Sequence, residues 1–478
     1  MNLAYKKMYI DGNLVDSISG EKKEVICPGT GEIAGEVAWA GKADAELALN
    51  AAKAAFKKWS KMSINTRKMW MHKLRDAVIE REQEIRETVM YEMGKTYNQA
   101  MEDYETVVNS LEWYPQEMLH RRDEIIPDPD GTHSHQIVSK PAGVVVGYLA
   151  WNFPLLNLGF KIGPALAAGC TLILKPSATA PLSAYLIGEI MESINFPKGV
   201  VNILAGSNSE LALTLSSSKI PRVITMIGSS VSGRIAMQQA TTSIKHFSME
   251  LGGNAPAIVF EDANVTRAVN DLVALKFGNC GQVCVSPNRI LVHENVYDEF
   301  VKRFVEKTKK LKLGFGKDSS IDMGPIVDER SRERIIKLSE TTLAEGAKME
   351  CGGKVPNNMK KGFFFEPTVF SNVNSKMTIF KEEIFGPLAA IYKFKTDEEV
   401  LSLANDSEVG LSSYVYTSDI SRIQKFSKEL EVGEVHVNGF KYAIYLPHGG
   451  VKESGLGHDC SHLALNDYLE KMRITIHV

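Results

Sequence analysis

The chain has 478 residues, 44% of them hydrophobic and 24% charged, with 55 basic against 58 acidic side chains and a formal net charge of −3. At about 150 residues per domain this is roughly three domains' worth of chain, long enough to bury large cores without disulfides or structural metal. The composition excludes disordered, collagen-like and low-complexity chains, and the even charge leaves no basic excess for nucleic acid or an anionic membrane surface.

In chain order, MNLAYKKMYIDG carries basic residues but no apolar stretch behind them, so it is not a secretory signal. Ala43 to Trp59 is an Ala-rich helical pattern, and Arg67 to Lys95 is one long charged amphipathic run stopped at Gly94. Pro127 to Gly131 is a connector. Ala142 to Phe160 has no charge and is long enough to span a bilayer. Asn152, Pro154 and Asn157 sit in its middle, where unsatisfied polar groups cost most in lipid. A buried strand, a Pro-containing turn and a buried helix fit it better.

From residue 143 short β-branched runs alternate with helical ones. Strands are expected at Val144–Leu149, Thr171–Leu174, Val200–Leu204, Val223–Ile227 and Ala257–Phe260. Helices are expected at Leu155–Ala168, Leu182–Ser193, Ser209–Ser217 and Val231–Ala240. This alternation predicts a doubly wound parallel sheet, which binds ligands beyond the carboxyl ends of its strands. A second alternating region follows, with helices at Tyr297–Lys312 and Arg330–Glu345. Met472–Val478 reads as a closing strand free to join another sheet, a second subunit's among them.

Several fragments carry chemistry. Gly228 to Gly233 follows a strand and opens a helix, either to present N–H groups to a phosphate or as a plain cap with Ser229. Lys175 at the end of a buried strand must snorkel, meet an anion or be solvated. Asn279 to Cys284 places two thiols in a Gly-containing turn; a thiolate there is a strong nucleophile, and a free Cys is otherwise a small hydrophobe. Glu250 ends a strand before Leu-Gly-Gly, where burial can raise its pKa for general-base work. The six cysteines, at 27, 170, 280, 284, 351 and 460, form no CxxC pair and stand near no His cluster, so no metal site is expected and a reducing, cytoplasmic compartment fits.

Taken together these fragments resemble the aldehyde dehydrogenase superfamily, from about Ile10 to the C-terminus. The resemblance rests on Trp151-Asn-Phe-Pro154, Gly163 to Gly169, Lys175-Pro-Ser177, Glu250-Leu-Gly-Gly253, Gly281-Gln-Val-Cys284, Glu382 to Pro387 and Gly450 to Gly455. It implies an α/β fold: a Rossmann-type cofactor domain (1–118 with 142–250), an α/β catalytic domain (251–458) and a small β oligomerisation element (119–141 with 459–478). It also implies NADP or NAD as cofactor, a small-molecule aldehyde as substrate, and a homodimer or homotetramer with no nucleic-acid or membrane partner.

Carried over residue by residue, the resemblance makes Cys284 the nucleophile. Asn152 is the oxyanion donor and Glu250 the base that activates water. Trp151, Lys175, Ser177, Gly228, Ser229, Glu383 and Phe385 fall at cofactor positions. Ala178 stands where many NAD-preferring members carry a 2′-hydroxyl-binding Glu, which lets NADP in. Phe153, Asn157, Phe160, Lys441 and His448 line the expected substrate pocket. The arginines that succinate-semialdehyde members place at Phe160 and Gly278 are missing; Asn157, Lys441 and His448 instead suggest a small polar or anionic aldehyde. Cys280 is either a redox partner of Cys284 or a buried small residue, and Glu470 matches a carboxylate near a water channel in some members. Two other readings differ by test. A CoA-acylating relative releases acyl-CoA and usually lacks the Glu250 carboxylate, and a non-catalytic descendant binds cofactor without turnover.

Overall fold

A computed structural model describes residues 3–478. Two large sheets organise it. The first has eight strands in the order Asn13–Val15, Met8–Ile10, Val201–Ile203, Thr171–Lys175, Val144–Tyr148, Pro221–Ile227, His246–Glu250, Gly455–Leu456. The five central strands are parallel, and the outer pairings are antiparallel. The chain winds outward on one side of Val144–Tyr148, then returns to Pro221–Ile227 on the other. The crevice between these two strands is a topological switch point, where open parallel sheets bind ligands.

The second sheet has seven strands in the order Lys348–Cys351, Thr368–Val373, Leu388–Phe394, Pro287–His293, Ala255–Val259, Ser412–Tyr416, Glu434–Val437. All its pairings are parallel except the first. Each sheet has its own apolar core: Val145, Leu172, Ile203 and Ile224 belong to one, and Ile258, Leu291, Phe370 and Tyr414 to the other. The central strands are buried along nearly their whole length, as strands covered on two faces require. Each fully buried side chain of this kind contributes about 1.5–3 kcal/mol over leaving it in water.

Apart from Ser209–Ser217, the expected strands and helices of the doubly wound region are present within one or two residues, and Leu182–Ser193 matches at both ends. Ala142 to Phe160 is a buried strand, a turn and the start of the Pro154–Ala168 helix. Among the described residues no helix is long and apolar enough to cross a membrane.

Three expectations are corrected. The run from Arg67 to Lys95 is two helices, Ile64–Glu80 and Glu82–Met93, because Arg81 leaves helical geometry at φ −112° and ψ 23° while capping both. Ser209–Ser217 begins as a wider turn, Asn208–Ala212, before the short helix Leu213–Ser217. The closing strand, Leu469–His477, pairs antiparallel along its whole length with His133–Pro141 of the same chain, and Glu124–Ile126 completes a three-stranded sheet. A long helix, Ala100–His120, went unforeseen and carries Pro115 in its interior.

Candidate active site

The eight-stranded sheet delivers its polar groups at the carboxyl ends of strands. After Val144–Tyr148 the chain turns through Trp151, Asn152 and Phe153 into a helix that opens on Pro154, a position where a missing N–H costs nothing. Asp103 accepts hydrogen bonds from the next two backbone N–H groups, Leu155 at 2.9 Å and Leu156 at 3.0 Å. Lys95 pairs with that carboxylate at 2.6 Å, and its ammonium lies 3.1 Å from the Phe153 ring centroid. The turn is thus fixed by a wholly buried ion pair. Asn152 is itself buried and donates from Nδ2 to the Gln282 carbonyl at 3.1 Å, while its own carbonyl accepts from Asn279 Nδ2 at 2.9 Å.

Lys175 ends its strand buried, neither snorkelling nor solvated, and donates to Asn208 Oδ1 at 3.0 Å. Among the described residues no carboxylate pairs with it, and burial lowers its pKa to about 8. Gly228 ends the next strand, its N–H bonded to the Glu250 carbonyl at 3.0 Å, and Ser229 caps the helix Ser230–Gln239 through Ser232 N. Glu250 closes the strand His246–Glu250.

The seven-stranded sheet contributes from the opposite edge, through loops that precede its strands. Asn279 and Cys280 adopt positive φ, 49° and 57°, and Gly281 follows at 71°. A Cβ on Gly281 would stand 2.2 Å from the Gly386 carbonyl, so only Gly lets the two loops meet. Gly253 plays the same part beside Cys284: a Cβ there would stand 2.2 Å from the Cys284 carbonyl. Glu383 accepts from Gly253 N at 3.0 Å, and Phe385, at φ 46°, sets its ring edge-on to Trp151 at 5.3 Å.

Burial dominates the electrostatics. Desolvation raises Glu250 to about 8 and Glu383 to about 7, and neither Glu250 oxygen has a hydrogen-bond acceptor-donor match within range. The Cys284 thiol is raised by burial; a hydrogen bond to His448 and that ring's charge oppose the rise. His448 Nδ1 lies 2.6 Å from Glu434 Oε1, and its Nε2 lies 3.5 Å from Glu250 Oε2. Asn157 is buried and donates to the Ala150 carbonyl at 3.1 Å. Phe160 packs 6.0 Å from the His448 ring, and Lys441 stands exposed at the rim.

All fifteen anticipated site residues line one cavity of about 1370 Å³. It is larger than the few hundred to about 1,000 Å³ usual for one small ligand and suits two. Ala178 lines it as well. Glu470 does not: it pairs with Arg222 at 2.6 Å and faces His246 at 3.5 Å, away from the cavity, because the strand that carries it belongs to the three-stranded sheet. Cys280 is a buried free thiol that burial raises far above the ordinary value. Sequence reasoning missed Lys95 and Asp103, which hold the Asn152 turn, and Glu434, His436 and Tyr442, which line the cavity. Glu434 and His436 share one face of a strand, a period-two signal that was there to be read. Among the described residues no group of three or more His, Cys, Asp or Glu side chains is arranged to hold a metal ion.

Residues 14–474 match the model of the aldehyde dehydrogenase family. The chain is 36% identical over 476 residues to succinate-semialdehyde dehydrogenase [NADP(+)] 2 of Schizosaccharomyces pombe, covering 99% of this chain and 96% of that protein. It is 37% identical over 471 residues to the 3,6-anhydro-alpha-L-galactose dehydrogenase of a Vibrio species, covering 97% and 98%. Betaine aldehyde dehydrogenase of Staphylococcus aureus, solved in complex with NAD+, superposes with a TM-score of 0.96 at 34% identity, covering 99% of this chain and 95% of that one. The names of these three relatives span an anionic, a neutral and a cationic aldehyde, so likeness alone does not select a substrate. With the family's model matched over residues 14–474 and its motifs gathered around one cavity, this chain belongs to the aldehyde dehydrogenase family, oxidoreductases that work with NAD or NADP.

Proposed function

We propose that this chain oxidises a small polar or anionic aldehyde to its carboxylic acid through a Cys284 thiohemiacetal and thioester, with NADP or NAD as cofactor. The observation that carries this reading is the meeting of Cys284, Asn152 and Glu250 in one cavity from the edges of two different sheets.

The far end of the cavity suits a dinucleotide. Lys175 is a buried ammonium without a carboxylate partner among the described residues, and Glu383 is a half-buried carboxylate bonded to backbone; both are fitted to hydroxyl or phosphate groups. Trp151, Ser177, Gly228, Ser229 and Phe385 complete the lining there. Ala178 leaves room beside Lys175 and Ser177 for a 2′-phosphate, which supports NADP. When bound, the cofactor accepts the aldehyde's hydride.

The chain's own groups do the rest. Cys284 Sγ loses its proton and attacks the carbonyl carbon. Asn152 Nδ2 and the Cys284 backbone N–H donate to the oxyanion so formed, and a fixed donor of this kind contributes about 2.7–4 kcal/mol in the transition state. Glu250 takes a proton from water, which hydrolyses the thioester. Lys441 at the rim, with Asn157 and His448 within, favours polar over fatty aldehydes.

The two apolar cores support a cofactor domain (1–118 with 142–250) and a catalytic domain (251–458). The three-stranded sheet leaves Ile125 and Val478 each 76% exposed, which supports an oligomerisation element (119–141 with 459–478) in a homodimer or homotetramer. Six free cysteines fit a reducing cytoplasm. The test is a panel of short polar, anionic and apolar aldehydes, each with NAD and NADP, followed by absorbance of the reduced cofactor. Turnover of polar or anionic aldehydes, with NADP accepted, is expected; preference for long apolar aldehydes with NAD alone would overturn the pocket and ribose assignments.

A further inference from the structure

At the substrate end of the cavity one imidazole shares its surroundings with Cys284 and Glu250. Glu434 opens the edge strand Glu434–Val437, and its Oε1 sits 2.6 Å from His448 Nδ1. The second carboxylate oxygen faces His436 Nε2 at 3.4 Å, and that ring stacks on Tyr414 at 5.3 Å and 16°. The His448 backbone is clamped to Asp459 by two hydrogen bonds of 2.8 and 2.7 Å. Asp459 is held in turn by Lys161, buried with it at 2.6 Å. With its backbone and Nδ1 both fixed, the ring aims Nε2 at Glu250 Oε2, 3.5 Å away. The same ring's charge acts on the Cys284 thiol, opposing the rise that burial imposes on it, and both residues line the one cavity. Both oxygens of Glu250 are buried and otherwise without a hydrogen-bond partner.

We propose that Glu434 and His448 are positioning residues: Glu434 keeps His448 an imidazolium, and its Nε2–H serves the Cys284 thiolate during acylation and the Glu250 carboxylate before hydrolysis. This deepens the assignment of Cys284 as nucleophile and rests on it. The step is a proton transfer: Sγ–H breaks, an O–H forms on Glu250, and the fixed imidazolium keeps both its protons while its charge comes to face the new thiolate in place of the neutralised carboxyl. Glu250 then releases its proton to solvent before it takes one from the hydrolytic water. A fixed cation beside sulfur favours the thiolate, as it does at other reactive cysteines.

The charges around the ring agree. Burial disfavours its cation, yet Glu250 and Glu434 together raise His448 well above the ordinary histidine value. Burial pushes Glu434 up, and the His448 and His436 rings bring it down to about 2. The remaining titratable groups that face the ring are Tyr442, at 6.2 Å between centroids, Cys460 and the Lys161–Asp459 pair; that pair is internally neutral.

The test is the pH dependence of Cys284 alkylation by iodoacetamide in the enzyme without cofactor, with the modified cysteine located by peptide mass. In His448→Asn, which keeps a hydrogen-bonding side chain but no charge, the thiol titration is expected to move up by one pH unit or more. Glu434→Gln is expected to move it the same way by less. In both, kcat should fall about tenfold while KM changes less than about twofold. Unfolding of His448→Asn, seen by circular dichroism, would leave the decision to Glu434→Gln. Alkylation profiles that coincide with the parent's, with only KM raised, would overturn the proposal and make His448 a substrate wall. Failure of the nucleophile assignment itself would appear separately, as turnover retained in Cys284→Ala.

Discussion

The two sheets serve the cavity from opposite ends of their strands. Asn152, Lys175, Gly228 and Glu250 lie where strands of the eight-stranded sheet finish; Cys284, Glu383, Phe385 and Glu434 lie where strands of the seven-stranded sheet are about to start or just starting. The residues between them, Leu251 to Asn254, cross from one sheet to the other, so Glu250 is at once the last residue of one and the approach to the next. The backbone differs accordingly. On the amino-end side Asn279, Cys280 and Phe385 all hold positive φ, a conformation costly for side chains of this kind. On the carboxyl-end side the turn is held by buried charge, Lys95 on Asp103, with Phe153 at φ −141°. Cys284 follows a stretch of positive-φ backbone locked by close glycine contacts, and Asn152 sits on a turn held by a buried ion pair.

The sharpest break of this comparison is at the amino edge. Cys284→Ala is expected to abolish oxidation of every aldehyde while leaving cofactor affinity within about twofold, read by turnover and by fluorescence titration. Residual oxidation at more than trace level would remove Cys284 from the chemistry.

Next comes the scaffold under the carboxyl edge. Lys161 and Asp459 are fully buried and pair at 2.6 and 2.7 Å. Lys161→Met leaves that carboxylate uncompensated and should cost about 3–5 kcal/mol of stability in a denaturant titration. Lys175 is as buried but faces the cavity without a carboxylate. Lys175→Met should change stability by less than about 1 kcal/mol, since no buried charge is stranded, and weaken cofactor binding instead. Equal losses of stability in the two variants would erase the distinction between a structural and a functional buried lysine.

A smaller effect is expected at Asn152. Asn152→Ala should lower kcat about 10²–10³-fold, the usual consequence of losing one oxyanion donor. Its hydrogen bond to the Gln282 carbonyl ties it across to the nucleophile's loop, so a change in Cys284 alkylation rate should accompany the loss.

The carboxyl edge was legible in the sequence because β-branched runs punctuated by Lys175, Gly228 and Glu250 are where a doubly wound sheet must place its ligand. The amino edge was legible only where a motif stood, at Gly281 to Cys284 and Glu382 to Pro387. Glu434 and His436 lie in a four-residue edge strand, and the pairing of Glu434 with His448 joins residues that no local pattern links. Glu470 was singled out by its motif position alone, and the pairing of its strand with His133–Pro141 keeps it out of the cavity lining. The break at Arg81 left no Gly or Pro to mark it, and Pro115 masked a helix that accommodates it.

The mildest test lies at the residue the two sheets share. Burial holds Glu250 at about 8, far above an ordinary carboxylate. As a base it must be ionised, so hydrolysis-limited turnover should rise about tenfold per pH unit up to about 8 and then level off. Stability should move the other way. A carboxyl whose pKa is raised on folding binds its proton more tightly in the folded chain, so its contribution is present at low pH. That contribution declines as pH climbs from the ordinary carboxylate value towards about 8. Glu250→Gln removes both dependences: it should keep a first burst of reduced cofactor, slow steady turnover, and melt at a higher temperature than the parent at pH 8 but not at pH 5. Full steady turnover in that variant would reassign the base. A melting difference equal at pH 5 and pH 8 would show that Glu250 is ionised throughout that range, held so by His448.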